Sequence, residues 1–173
     1  MNNKDTAYIG IVTALMAISA FIKIPIQPVP LTLQMLIVLL LPMVFGIRVS
    51  FLGILLYIIL GLFGLPIFAN GGGLSYVLQP TFGYIVGYLF SAIFTGFVSK
   101  KFKGFLGNFI GGLAGLFVIY IIGVSYLYYN INFIQNKPFA FSTALKIGFF
   151  VPIGFDIIKL IIAAFIATKI KKG

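Results

Sequence analysis

Pro152-Ile153-Gly154-Phe155-Asp156-Ile157-Ile158-Lys159-Leu160-Ile161-Ile162-Ala163-Ala164-Phe165-Ile166-Ala167-Thr168-Lys169-Ile170 is the stretch that decides the fold. At 1.5 Å per residue it rises about 28 Å, close to the ~30 Å hydrocarbon thickness of a bilayer. It therefore reads as a membrane helix, with Asp156 and Lys159 as the only charges before its basic end. The rest of the chain agrees. Of its 173 residues 61% are hydrophobic and 8% are charged, with a mean hydropathy of +1.19, whereas a soluble domain carries about a quarter charged residues. That excludes a soluble globular enzyme and leaves an all-α membrane protein.

Working outward, further apolar segments run over about Thr6–Ile22, Thr32–Phe45, Ile47–Phe63, Gly83–Val98 and Leu106–Tyr129. With Pro152–Ile170 they predict a bundle of six transmembrane helices, the chain 1–173 forming one integral membrane domain. The first segment reads as a retained helix, because other membrane segments follow it and no small-residue cleavage site stands out. The second is short and ends at a hinge, Gly46-Ile47-Arg48. Residues Phe141–Phe149 precede Pro152, which suits the first position of a helix. They read as a short interfacial element, with the last helix starting near Pro152 and its positive N-terminal end favouring the Asp156 charge.

The net charge of +10 would suggest nucleic acid in a soluble chain, but the positions of the charges speak against it. If the N-terminus is cytoplasmic, Lys4, Arg48, Lys100, Lys101, Lys103, Lys169, Lys171 and Lys172 all fall inside. Lys23, Lys137 and Lys146 fall outside, and Lys159 lies within a helix. Positive short loops face the cytoplasm, so both termini are expected there, with the lipid bilayer as the chain's surroundings. The absence of Cys and His removes thiolate sites, the usual zinc ligand and the usual general base. No metal, cofactor or catalytic residue is expected.

Two external loops carry more information. Ile24-Pro25-Ile26-Gln27-Pro28-Val29-Pro30 holds an extended backbone through its prolines. Gly64–Phe82 is long and uncharged, and non-helical backbone of that kind is tolerated where it lines a cavity. Together the loops are expected to cap a ligand cavity. Asp156 and Lys159, at i and i+3, share a helix face. Each would cost roughly 2.5–3.5 kcal/mol at mid-membrane, so they must pair, face a wet cavity or serve a ligand. Asn70, ahead of Gly71-Gly72-Gly73, offers polar groups from the long loop; Phe68, Tyr84, Tyr88 and Phe82 offer walls. The glycine triplet lacks the Gly-Lys-Ser/Thr ending of a nucleotide-binding loop. On helix 1, Thr6, Gly10 and Ala14 recur in steps of four with Thr13 and Ala17 beside them, which permits close approach of another helix.

Val29-Pro30-Leu31-Thr32-Leu33-Gln34 resembles the V-P-x-T-L-Q signature of the BioY family, the biotin-specific substrate-binding (S) components of energy-coupling factor (ECF) transporters. Gly61-Leu62-Phe63-Gly64-Leu65-Pro66-Ile67-Phe68-Ala69, Pro80-Thr81-Phe82-Gly83-Tyr84 and Asp156-Ile157-Ile158-Lys159 are similar to further signatures, in the family's order. The departures are Gln79 and Phe82, where glycine is common, and Tyr84, where some members carry arginine. The resemblance implies biotin capture in a prokaryotic cytoplasmic membrane, with a membrane coupling (T) protein and two cytoplasmic ATPases as partners. It implies Asp156 and Lys159 as ligand groups, Asp156 accepting from the ureido N–H groups and Lys159 donating either to the ureido carbonyl or to the valerate carboxylate, with Asn70, Gln79, Tyr84, Phe68 and Gln34 around them, and a coupling-protein face made of Gly10, Ala14, Thr13 and Ala17. The alternative reading is an autonomous secondary transporter of a small solute, using the Asp156/Lys159 pair.

Overall fold

The computed structural model describes residues 3–26 and 28–170. Helix α1 spans Asn3–Phe21 and leads into a two-residue antiparallel ribbon, in which β1 (Lys23–Ile24) pairs with β2 (Leu31–Thr32). Prolines 25, 28 and 30 fall in the connection, where their missing N–H groups interrupt no ladder. Helices α2 (Gln34–Val44) and α3 (Gly46–Leu62) follow, then a single 3₁₀ turn (Leu74–Leu78). The remainder is α4 (Phe82–Lys101), α5 (Gly104–Tyr129), α6 (Phe141–Leu145) and α7 (Val151–Ile170). Gly46, with φ of 80°, is the expected hinge, since that backbone conformation is strained for any residue with a Cβ.

Among the described residues, four helices are long and apolar enough to cross a membrane: Asn3–Phe21, Phe82–Lys101, Gly104–Ile134 and Phe141–Ile170. Gln34–Val44 and Gly46–Leu62 are apolar but shorter. With 11 residues, α2 rises only about 16 Å and does not reach across the hydrocarbon by itself.

The segment before Pro152 differs from the sequence expectation. Helices α6 and α7 are joined by a π turn at Lys146–Phe150 into one continuous run, Phe141–Ile170, and not an interfacial piece followed by a new helix. Pro152 is tolerated because the π turn absorbs the irregularity it creates. The Gly148 carbonyl, which an α-helical N–H at position 152 would take, accepts a hydrogen bond from the Tyr84 hydroxyl at 2.9 Å. In consequence Asp156 lies halfway along a 30-residue helix, far from the field of a helix start, so that proposed source of its stabilisation is withdrawn.

Small residues set the packing. On α4 a Cβ at Gly87 would sit 2.9 Å from the Ile119 Cα of α5, and on α5 a Cβ at Gly115 would sit 2.0 Å from the Thr95 hydroxyl. These two helices are thus in near backbone contact, a usual device where no hydrophobic drive separates protein from lipid. The core between helices is filled by Leu39, Ile54, Tyr57, Ile119, Leu127 and Leu160, all buried. Phe90, Phe94, Phe117, Ile158, Ile161 and Phe165 are exposed, forming an apolar outer surface. Along α7 the buried positions include Asp156, Leu160, Ala163 and Ala167. Asp156 therefore shares the inward stripe with small and aliphatic residues.

Candidate functional site

The alternating course of the chain gathers the ribbon, the 64–81 loop, and the first residues of α2 and α4 at one end of the bundle. Beneath them lies a cavity whose empty space, open mouth included, is about 540 Å³. It is lined by Val29, Pro30, Leu31 and Thr32 from the ribbon, Gln34 and Met35 from α2, and Ala69, Tyr76 and Thr81 from the long loop. Tyr84, Ile85 and Tyr88 of α4, Tyr120 of α5, and Pro152, Asp156 and Lys159 complete it. The α4 residues fall at spacings of three and four, so one helix face forms a wall.

Asp156 is buried, at 3% exposure, and both its oxygens are engaged. Oδ1 accepts from Lys159 Nζ at 2.8 Å, and Oδ2 accepts from the Tyr120 hydroxyl at 2.6 Å. Lys159 Nζ also donates to the Thr32 carbonyl at 2.8 Å, which ties α7 to the ribbon. The charges thus satisfy the requirement that membrane-buried ions be paired. Their capacity is not used up, because an ammonium carries three donors and a carboxylate about four acceptor sites. The pair can still offer one N–H and two or so lone pairs to a bound molecule. The Tyr120 ring is held in place by edge contacts with Phe149 and Tyr84, at 4.9 and 6.4 Å between centroids.

Of the residues expected at the site, Asp156, Lys159, Tyr84 and Gln34 line the cavity, and Phe68, Asn70 and Gln79 do not. Tyr84 spends its hydroxyl on Gly148, as described. Gln34 is a brace: its Nε2 donates to the Met16 carbonyl at 3.1 Å and to the Tyr57 hydroxyl at 2.8 Å, while Tyr57 donates to the Ile67 carbonyl at 3.1 Å. This chain of bonds links α1, α2, α3 and the long loop. Phe68 is fully buried and lies against Tyr57 and Tyr76. Its ring occupies the space a side chain at Gly61 would need, so it anchors the loop to α3 instead of forming a wall.

Asn70 and Gln79 are exposed. Asn70 Oδ1 accepts from Lys23 Nζ at 3.0 Å, and the same Nζ also donates to the Ala69 carbonyl, so the two loops are latched above the cavity. The glycine triplet serves the loop itself. Phe68 and Gly71 exchange backbone hydrogen bonds and Gly73 N–H donates to the Gly61 carbonyl at 2.7 Å, a fold that needs the left-handed Gly71, at φ of 117°. Phe82, expected as a wall, is not among the lining residues. Tyr88 does line the cavity, as expected.

The sequence reading missed Tyr120, Tyr76, Thr32 and Thr81. Thr32 and Thr81 stand inside the quoted signatures, which mark the segments without saying which side chain meets the cavity; Tyr76 and Tyr120 carry no spacing signal that distinguishes a cavity wall from packing, and Tyr120 is identified only by its contact with Asp156. Burial pushes the Tyr76 phenol above its ordinary range, so it stands in the mouth as a protonated hydroxyl.

On α1, Gly10 and Ala14 are exposed, and nothing lies within 4 Å of a side chain built at Gly10. Thr13 is different: it is buried, and its hydroxyl bonds to the Ile9 and Gly53 carbonyls at 2.9 and 3.0 Å. It therefore faces α3 and leaves the outward stripe, which consists of Thr6, Gly10 and Ala14 with Ala17 half-buried at its edge.

Comparisons with known proteins place this geometry in a family. The probable biotin transporter BioY of Lysinibacillus sphaericus is 39% identical over 166 residues, covering 95% of this chain and 85% of that one. The biotin transporter BioY of Thermotoga maritima is 39% identical over 164 residues, covering 94% and 93%. A solved S-component for biotin from an ECF-type ABC transporter superposes with a TM-score of 0.85 at 28% identity, covering 100% of this chain and 95% of that one. The description BioY family matches residues 1–173, and the chain belongs to that family.

Proposed function

We propose that this protein captures biotin as the S component of an ECF-type ABC transporter. The observation that carries the reading is the Asp156–Lys159–Tyr120 cluster in a cavity with otherwise largely apolar walls. A ureido group has two N–H donors and one carbonyl acceptor. The spare lone pairs of Asp156 complement the donors, and the spare donor of Lys159 complements the acceptor. Tyr84, Tyr88, Ile85 and Met35 suit the apolar bicycle and chain. The names of the relatives support the same ligand.

On this reading the protein spans a prokaryotic cytoplasmic membrane six times, with α2 and α3 completing the crossings and both termini on the cytoplasmic side. The bundle end that carries Lys4, Arg48, Lys100, Lys101, Lys103 and Lys169 faces the cytoplasm, in keeping with the bias of short loops. Energy comes from two partner ATPases through a membrane coupling protein that docks on Gly10 and Ala14, with Ala17 at the edge.

The test is binding by the purified protein against a panel of vitamins. Biotin is expected to bind with high affinity and to raise the melting temperature, while vitamins without a ureido ring leave it unchanged. Vesicles containing this chain alone are expected to show no biotin uptake. Uptake without ATPases would support an autonomous transporter, and absence of biotin binding would remove the reading altogether.

A further inference from the structure

The end of the bundle opposite the ligand cavity holds a second hollow that the biotin reading does not use. Its empty space, open mouth included, is about 800 Å³, and its lining includes Ser99 and Lys100 of α4, Lys103, Gly104 and Asn108 at the start of α5, and Thr168 of α7. Only Phe102 and Lys103 separate α4 from α5, which brings both cations to one mouth. The lysines of this end divide into two kinds. Lys101 lies over the Phe97 ring at 4.6 Å and Lys169 over the Phe165 ring at 5.5 Å, so their stems cover apolar surface and mark the depth of the lipid headgroups. Lys100 and Lys103 line the hollow instead. Neither has a carboxylate partner among the described residues, whose one ion pair is Asp156–Lys159. Like charges at one mouth repel, and an anion between them removes that cost.

The floor is polar and its groups are under-used. Asn108 is buried, at 2% exposure. Its Nδ2 donates to the Thr168 hydroxyl at 3.0 Å, and that hydroxyl donates to the Ala164 carbonyl at 2.7 Å. Among the described residues nothing donates to Asn108 Oδ1, and the hydroxyl of Ser99, at 5% exposure, has no partner either. Buried polar groups left unpaired are uncommon, because the lost hydration is not replaced. No side chain caps the start of the 26-residue α5, and no loop carbonyl takes the Phe105 and Leu106 amides. The helix therefore presents N–H groups and a partial positive charge at the same place. Cations, amides and one buried acceptor together fit a phosphate that carries a hydroxylated substituent. Beside them Phe102, Phe105 and Leu106 are exposed, an apolar flank that suits hydrocarbon chains.

We infer that this hollow receives the headgroup of an anionic phospholipid. The phosphate meets Lys100, Lys103 and the first amides of α5, a headgroup hydroxyl donates to Asn108 Oδ1, and the acyl chains run along Phe105 and Leu106. The site is independent of what the opposite cavity binds. A lipid held there fastens the α4–α5 turn to α7 through Asn108 and Thr168.

The experiment titrates phosphatidylglycerol, phosphatidylcholine and glycerol 3-phosphate into the purified full chain in a nonionic detergent. Native mass spectrometry reads bound lipid and thermal melting reads stability. One phosphatidylglycerol is expected to stay bound and to raise the melting temperature. Phosphatidylcholine, with no net charge and no headgroup hydroxyl, and glycerol 3-phosphate, with no acyl chains, should leave it unchanged. Lys100→Gln combined with Lys103→Gln should weaken phosphatidylglycerol binding about tenfold or more. Lys101→Gln combined with Lys169→Gln removes the same charge outside the hollow and should weaken it by less than about threefold. All four lysines are exposed, so both double variants should melt like the unmodified protein when no lipid is present. Asn108→Asp keeps a partner for the Thr168 hydroxyl but sets a carboxylate against the phosphate, and it should also lose about tenfold. Equal losses for the two lysine pairs would trace the attraction to the general positive charge of this end and overturn the site. Equal binding of phosphatidylcholine would overturn it as well, and glycerol 3-phosphate binding as tightly as the lipid would overturn the lipid assignment in favour of a soluble phosphate.

Discussion

Asp156 and Lys159 illustrate how a membrane changes the value of an ion pair. Each is expensive alone, and together with Tyr120 and the Thr32 carbonyl they form a satisfied cluster. A ligand role and a bridging role make different predictions. If the cluster holds biotin, Asp156→Asn and Lys159→Met each weaken binding by about 2 kcal/mol or more, roughly thirtyfold. In Asp156→Asn the amide can present a donor to a ureido donor; in Lys159→Met the apolar stem remains and the ammonium is lost. If the cluster only joins α7 to the ribbon, each single change lowers the melting temperature, and the apolar double replacement restores it with biotin affinity unaltered. Calorimetry and thermal melting on the three variants separate the two. Tyr120→Phe extends the series, because it removes only the 2.6 Å bond to Oδ2. Its expected loss of biotin affinity is about tenfold, with the ring contacts to Phe149 and Tyr84 kept.

At the scale of elements, the same residue type has opposite consequences on different faces. Gly115 packs against α4, where an added Cβ would lie 2.0 Å from Thr95 Oγ1. Gly10 faces outward with nothing within 4 Å. Gly115→Leu is therefore expected to destabilise the folded protein severely, and Gly10→Leu to leave stability and biotin binding near normal. If the proposed coupling protein docks on this face, Gly10→Leu and Ala14→Trp should nonetheless abolish association with it and uptake, since bulk there holds the partner helix away. Co-purification of the assembled transporter checks this, and normal assembly of both variants would move the docking face elsewhere. The α6–α7 junction shows how a proline can mislead. Pro152 is favourable at a helix start, and it is equally compatible with a π turn whose freed carbonyl is taken by Tyr84.

For the whole molecule, the proposed orientation in the membrane rests on the segregation of cations. Lys4, Arg48, Lys100, Lys101, Lys103 and Lys169 gather at the end opposite the cavity, while Lys23, Lys137 and Lys146 lie toward it. Because the chain contains no Cys, single cysteines can be introduced at chosen positions without a background. A cysteine replacing Lys101 is expected to be labelled only from the cytoplasmic side, and one replacing Asn70 only from outside. External labelling at Lys101 would reverse the proposed topology. The Lys23–Asn70 contact crosses between the two loops that roof the cavity. Its loss in Lys23→Met should speed both entry and release of biotin, with a smaller change in affinity, as measured by stopped-flow fluorescence.

The amino-acid sequence by itself determined the helical membrane character, the loops that roof the cavity, the family and the central pair. Each of these rests on composition or on short-range spacing. Apolar runs of helix length specify helices in a bilayer, three prolines within six residues forbid a helix, and i, i+3 spacing puts Asp156 beside Lys159 whatever surrounds them. What only the tertiary structure decided are the relations between distant segments. Thr32 meets Lys159 across 127 residues and Tyr120 meets Asp156 across 36, and no local pattern encodes either contact. The same holds for Gln34 and Phe68, marked by their motif positions, and for Asn70, marked by the glycines after it, whose partners turned out to be Tyr57, Gly61 and Lys23. A side chain's type limits the bonds it can make. Which of those bonds forms depends on the neighbours that packing brings within about 3 Å.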